Sequence, residues 1–412
     1  MKKFGIAVLL MMVAVVGIWY SAVAKPPHYI GDTVAQNRPN LVIDPMLEMA
    51  RGQVAGITTI NKFGRNFEID VSTADIWDKG EAGATLIYIA PTVATGAQPH
   101  IIVSDDATDV TSSEELILTG QPANTQTVTI GTKVYTFLAV IAAGDGNVLI
   151  SGVNEEGTID NLVAAVNLAA GVGVTYGTGT TANDANVIAV KTAADDCTIY
   201  TVAATAIALA ETMDNATWTA GAVATVVGTG AHTLRIYGLT SWDTKQVSED
   251  INMRGLSSVT TANSYVLIHR MKVLTKGATQ VNAGAIDATS ATDGDISARI
   301  RVNQGQTQMA IYGVPSIQTA YIFMVYASVN KTSTNTGLVD LALLVNPEPQ
   351  TEEKMFLVKH TFGLQTVGTN AYMHRYGIPK KVEGPAIIKM QCVSGTANQD
   401  ISAGFDLILV DN

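Results

Sequence analysis

Apolar and polar residues alternate with a period of two along most of the chain beyond residue 84, and one stretch carries the period of a helix instead. Leu86 and Tyr88, then Ile101 and Val103, stand among Thr, Gly and Pro punctuators, and Leu234 and Ile236 alternate with Thr233 and Arg235. The same pattern predicts strands over 264–274, 307–314, 320–329, 338–345, 355–364, 386–392 and 405–410. By contrast Ile159, Leu162, Val163 and Val166 fall at i, i+3, i+4 and i+7, which predicts an amphipathic helix. Thr158 is placed to cap its start and Gly171 its end. Strands are expected before this helix at 125–130, 133–138 and 148–150, and after it at 186–190 and 198–202. Residues 25–59 are broken by Pro26, Pro27, Pro39 and Pro45 and hold one short helical candidate at 45–51. Residues 61–78 show neither period.

The expected fold class is therefore mainly β, with antiparallel β-sandwich or jelly-roll-like domains and one inserted small α+β module. The expected division is a hydrophobic leader at 1–24, a discontinuous β domain at 25–110 plus 229–300, the inserted module at 111–228, and a C-terminal sandwich at 301–412. A chain of 412 residues has room for that many separate cores.

At the N-terminus, Lys2 and Lys3 precede an uncharged apolar run over 4–20, and Ala22 and Ala24 supply small residues at the −3 and −1 positions of a cleavage after Ala24. That is the pattern of a secretory signal peptide. The run is also close to the roughly 20 residues that span a bilayer, so a retained anchor is the second reading and a buried helix the third.

Charged residues make up 15% of the chain against about 25% in an average soluble domain, which suits a β-rich surface partly covered by neighbouring subunits. The net charge of −11 excludes a phosphate-backbone binder, and Lys380-Lys381 is the one basic pair outside the leader. No nucleic-acid partner is expected. Cys197 and Cys392 are the only cysteines and fall in different expected domains, so neither a disulfide framework nor a C-x-x-C site is present.

Candidate chemistry is sparse. His28, His100, His232, His269, His360 and His374 sit in separate segments with no metal-binding spacing. Asp287 with Asp293-Gly294-Asp295 offers oxygen ligands but lacks the order of a calcium loop and reads as a turn. The Gly-rich stretch 171–177 follows a helix where a phosphate loop would open one. Trp77, Trp218 and Trp242 could face a glycan, but packing in a core is the simpler role. Catalytic, cofactor-binding and metal-binding residues are accordingly expected to be none, and no enzyme activity is expected.

Residues 61–66 (Asn-Lys-Phe-Gly-Arg-Asn) and 75–78 (Asp-Ile-Trp-Asp) have no catalytic logic but are idiosyncratic, and they resemble a family of tailed-bacteriophage virion structural proteins. Residues 234–273, 309–315, 358–362 and 405–412 extend the resemblance, and residues 127–137 resemble the core of a small module that recurs in phage virion proteins. The resemblance implies a podovirus-like capsid decoration or head-fibre protein, with a tail or tail-fibre component second. It implies a homo-oligomer, a trimer by fold-level analogy, bound to major capsid or tail proteins and located in the virion. The leader departs from the family's pattern. It favours an exported bacterial surface or adhesion protein in the periplasm or at the cell surface, touching a membrane only if the leader is retained. A virion hydrolase acting on host glycans is a third reading. Phe63, Arg65, Phe67 and Trp77 are the candidate assembly contact, because aromatic and Arg anchors dominate interfaces.

Overall fold

Alternation of buried and solvent-facing residues along each strand sets the architecture, which a computed structural model describes for residues 54–412 apart from 70–72, 79–87, 89–95, 184–186, 202–206, 219–222, 225, 279–280, 331–337, 351–354, 366–369, 396 and 398. The leader and the helical candidate at 45–51 lie outside the described residues. The fold is mainly β, with several antiparallel sheets and one helix among the described residues.

Two sheets face each other in the C-terminal sandwich. The first runs in the order Ile57–Ile69, Gln399–Asp411, Gln318–Val329, Ala371–Glu383. The second runs Thr73–Asp75, Ala386–Ser394, Leu338–Asn346, Leu357–Gln365, with Ile311–Val314 also pairing to Ala386–Ser394. Ile401, Ala403, Phe405, Leu407 and Leu409 point inward at every second position, opposite Val339, Leu341, Leu343 and Val345. Burying each Leu, Ile, Val or Phe contributes roughly 1.5–3 kcal/mol, so this shared layer holds the two sheets together.

A second core lies between Val247–Asn252, Ala231–Leu239 and Leu267–Lys276 in one sheet and Val259–Thr260, His100–Ser104, Ile286–Ser290 and Ile296–Ile300 in the other. Trp77, Met309, Ile311 and Ile387 enter this core from segments that otherwise belong to the sandwich.

The first strand corrects the expected domain boundary. Residues 61–78 were expected to be aperiodic and to belong with 25–110, yet Ile57–Ile69 pairs along its length with Gln399–Asp411, and Thr73–Asp75 pairs with Ala386–Ser394. The expected 301–412 sandwich is therefore completed by Ile57–Ile69 and Thr73–Asp75. The alternation was hidden because Lys62, Gly64 and Asn66 occupy the inward positions. Gly64 has no alternative, since a Cβ there would stand 2.4 Å from both the Ala310 nitrogen and the Ile76 oxygen.

Residues 112–227 hold a separate core built by two sheets and the helix Glu155–Asn167. The module is richer in strands than the expected β-β-α-β-β order: Ser112–Leu118, Ile207–Glu211 and Ala216–Trp218 frame it, and Lys133–Leu138 pairs in parallel with Asn147–Leu149. Ile159, Leu162 and Val166 face the core as their spacing requires. The caps differ from the expected ones. Asn154 accepts from Gly157 N at the start, and Leu168 closes the end in the left-handed conformation. Thr158 instead sits inside the first turn, accepting from Ser151 N and donating to Gln121, while Gly171 lies in the following turn.

At the root of the module Asp109 is fully buried and accepts four hydrogen bonds, from Ala231 N, Ala283 N, Gly284 N and the Ser104 hydroxyl, at 2.6–2.8 Å. A carboxylate so supplied with donors tolerates burial. Gly230 is forced by it, because a Cβ would lie 2.0 Å from Asp109 Oδ1. Gly228 N donates to Thr111 O, so the two ends of the insertion meet.

Lys62 crosses from the sandwich to the second core, donating from a buried ammonium to His269 O at 2.6 Å. Burial, then the charge of Arg270, pushes its pKa down to about 7. His269 beside it is held well below the usual histidine range, first by burial and then by Lys62.

Two expectations follow from this architecture. Deleting 112–227 and joining Thr111 to Gly228 through a short Gly-Ser linker should leave a soluble protein with strand-type circular dichroism and one cooperative melt. Aggregation without a melt would show that the common core extends into the module. For Lys62, the unfolded chain holds a proton that the folded chain has lost between the folded pKa of about 7 and the ordinary 10.5, so stability at this position rises with pH through that window. Lys62→Met removes the effect. Its melting temperature relative to wild type should therefore be most favourable near neutral pH and fall by several degrees toward about pH 9, at roughly 2–4 °C per kcal/mol. A difference independent of pH would place a charged lysine in the folded protein.

Candidate assembly edge

Leu357–Gln365 and Ala371–Glu383 are the last strands of their two sheets, and they follow one another in the chain. They flank the same open side of the sandwich. On the inward face, Tyr372, His374 and Tyr376 at i, i+2 and i+4 meet His360 and Phe362, and all five are half-buried. Phe362 and Tyr372 stack with centroids 4.3 Å apart, His360 and His374 stack at 5.0 Å, and His374 meets Tyr376 edge-on at 4.8 Å. His360 Nε2 and the Tyr372 hydroxyl are 3.2 Å apart, and the Lys380 ammonium lies 4.9 Å from the Tyr376 centroid. Burial, then His374 and Lys380, lowers the His360 pKa. Phe362, Tyr372 and Tyr376 pack on the sandwich core, and the rings seal its open side.

Large apolar side chains on the two strands stand in solvent. Val358 is 60% exposed, Met373 73% and Ile378 87%. Exposed large apolar side chains grouped on a free strand mark an interaction surface, since an unpaired edge is a template for another chain. The edge is also basic. Lys359, Arg375, Lys380 and Lys381 stand in the stretch 355–383 against the single acid Glu383, in a chain of net charge −11.

Of the candidate contacts, Phe63 alone is exposed, on the outer face of the same sheet but on the strand at its other edge. It is 38% exposed and opens a cross-strand row that passes over Gly404 and Tyr326 to Met373. Gly404 makes room for the Tyr326 ring, whose hydroxyl donates to Lys62 O at 3.1 Å. Arg65 is engaged within the chain, donating to both oxygens of Asp400, and this hydrogen bonding raises its pKa. Phe67 lies between two guanidiniums, with Arg65 at 4.1 Å and Arg301 at 4.4 Å from its centroid. Trp77 is 1% exposed and packs edge-on against Tyr88 at 5.5 Å, so the expectation that it anchors a partner is corrected: it fills the second core.

The remaining candidates are structural. Asp287 pairs through both oxygens with Arg299, and Asp293 accepts from Gln98, which accounts for the calcium-like stretch. His100 is buried between Gln98 O and Ser297, and burial pushes its pKa down to about 4. Cys197 and Cys392 lie free in separate cores, and burial raises both thiols. Among the described residues no three His, Cys, Asp or Glu side chains gather as metal ligands, and no helix is long and apolar enough to cross a membrane. No protein-family model matches the chain, and no curated protein matches it.

The edge residues His360, Phe362, Tyr372, His374 and Tyr376 were missed as a site, although Lys380-Lys381 and the Tyr-x-His-x-Tyr alternation were visible signals.

These positions predict opposite costs for two aromatic truncations. Trp77→Ala should destabilise the monomer by about 3–5 kcal/mol, as for a buried Trp. Phe63→Ala should change stability by less than about 1 kcal/mol. Chemical denaturation of both variants measures this, and equal losses would contradict the burial of Trp77.

Proposed function

We propose that this protein is a non-enzymatic structural component of a tailed-phage particle, a capsid decoration or head-fibre protein that self-associates through the open side of its C-terminal sandwich. The observation that carries the structural part is the pair of free edge strands Leu357–Gln365 and Ala371–Glu383, bearing Val358, Met373 and Ile378 in solvent. The word phage rests on the resemblance of residues 61–78 and of the C-terminal strands.

The occupant of the edge is a second copy of this chain, argued from charge. The stretch 355–383 carries four cations and one acid, so the rest of the chain is more acidic than the whole. Edge against like edge would oppose cation to cation. A head-to-tail contact, edge against the acidic remainder of the next copy, avoids this and closes into a ring such as a trimer.

Light scattering after size exclusion tests the proposal. The wild-type chain should form a discrete oligomer that weakens as salt rises, because surface charge pairs are screened within about 8–10 Å at ordinary ionic strength. Met373→Lys with Ile378→Lys should weaken association at least about tenfold while leaving the melt of the monomer within about 0.5 kcal/mol. A wild-type chain that stays monomeric, or a double variant that associates unchanged, would sink the assignment. Mass spectrometry of purified particles tests the phage setting separately.

A further inference from the structure

Between the inserted module and the second core lies an open cleft of about 570 Å³, within the size range of small-molecule sites. One wall is the outer face of a module sheet. Ser113 pairs with Tyr200 and Glu115 with Thr198 across adjacent strands, so these four side chains share the face opposite the Leu116, Cys197 and Ile199 that fill the module core. Thr192 joins them, donating to Glu115 Oε1 at 3.0 Å and accepting from Thr198 at 3.3 Å. The other wall is the turn carrying Arg254, Leu256 and Ser257. Tyr200 donates to Ser257 at 3.1 Å, and the Arg254 guanidinium lies 5.7 Å from the Tyr200 centroid. Arg254 is half-buried and forms no ion pair among the described residues, although a planar group with five N–H donors needs acceptors once it leaves water.

We propose that this cleft binds a neutral oligosaccharide. The cleft offers donors and acceptors of the kind a run of vicinal hydroxyls requires: a guanidinium and the Ser257 hydroxyl on one side, a carboxylate and four hydroxyls on the other. Leu256, 62% exposed, offers an apolar contact for the CH face of a sugar ring. Other ligand classes fit less well. A phosphate or nucleotide would set a second anion beside the Glu115 carboxylate, across the cleft from Arg254. An acyl chain would desolvate hydroxyls and charges for little apolar return. The inference does not depend on the assembly edge, which lies on another body.

Saturation-transfer NMR on the full chain tests it, with glucose, galactose, mannose, rhamnose, N-acetylglucosamine, maltose and lactose as probes and with glucuronate and inorganic phosphate as charged controls. At least one neutral sugar should receive saturation, with millimolar or tighter binding. Glu115→Gln, close to isosteric and therefore safe for folding, should weaken that binding about tenfold, as should Arg254→Gln. The self-association variants should bind as wild type does. The proposal is overturned if no neutral sugar binds, if binding survives both substitutions, or if glucuronate or phosphate is preferred.

Discussion

Asp75 is fully buried and accepts from the Lys389 ammonium at 2.8 Å, from Gln391 Nε2 at 2.9 Å and from Tyr88 N at 2.7 Å. Lys389 is itself 3% exposed on its side chain and lies 4.1 Å from the Phe356 centroid. A buried pair of this kind gains little over an apolar replacement, but removing one partner strands the other charge at a cost of about 3–5 kcal/mol. The constraint therefore acts on geometry. Thr73–Asp75 has to keep its register on Ala386–Ser394, and the chain leaving it has to place Ile76 in the sandwich core and Trp77 in the neighbouring one. Through Tyr88 N the same carboxylate also holds the residue whose ring meets Trp77. Two cores are thereby joined by adjacent residues, and Lys62 and the Arg65–Phe67–Arg301 stack reinforce a junction already set.

That junction explains why one side of the sandwich is closed and the other open. The first strand, Ile57–Ile69, is crossed at its free edge by the segment around 308–310, where Arg65 N donates to Gln308 O. The opposite side has no such cover among the described residues. Natural sheets blunt exposed edges with lysines, prolines and bulges, and Ala371–Glu383 carries all three: Lys380 and Lys381, Pro379, and a register shift against Ile322 and Met324. These devices act against pairing with an identical edge. They leave the Met373 and Ile378 side chains exposed.

Legibility followed side-chain chemistry at the inward positions. Where apolar residues fill them, as in Ala231–Leu239 or in the 405–410 part of Gln399–Asp411, the period of two was plain, and the helix was readable from Ile159, Leu162, Val163 and Val166. Where contacts across the junction fill them, the pattern inverted. Ile57–Ile69 turns Lys62, Gly64 and Asn66 inward and Phe63 outward, because its inner face meets backbone at close range and a carbonyl that needs a donor. Hydrophobicity then points the wrong way. Ala371–Glu383 failed for a related reason: its inner row is His and Tyr, its outer row is Met, Arg and Gly, and neither face is apolar by composition. Trp77 was misplaced because an aromatic in an aperiodic stretch reads equally as core or as contact, and the register of Thr73–Asp75 decides between them. The caps of the helix were misplaced because Asn154, whose side chain accepts from Gly157 N, stands before the apolar spacing begins, and Leu168 closes the end through its left-handed backbone.

The insertion shows how surface function can be added without disturbing these constraints. Its two ends meet at a hydrogen bond between Thr111 and Gly228, above a carboxylate whose four donors all come from the host body. Asp109 therefore completes the host turn whether or not the module is present, and the module's own core makes no demand on the host's packing. Substitutions on its outer sheet face at Glu115 or Thr198 alter the wall of a cleft and leave both cores intact. Substitutions along Ala371–Glu383 act on a different body, through a different set of strands. The cleft wall and the sandwich edge are built by different strands, and neither uses the Asp75 or Lys62 side chain that joins the sandwich to the second core.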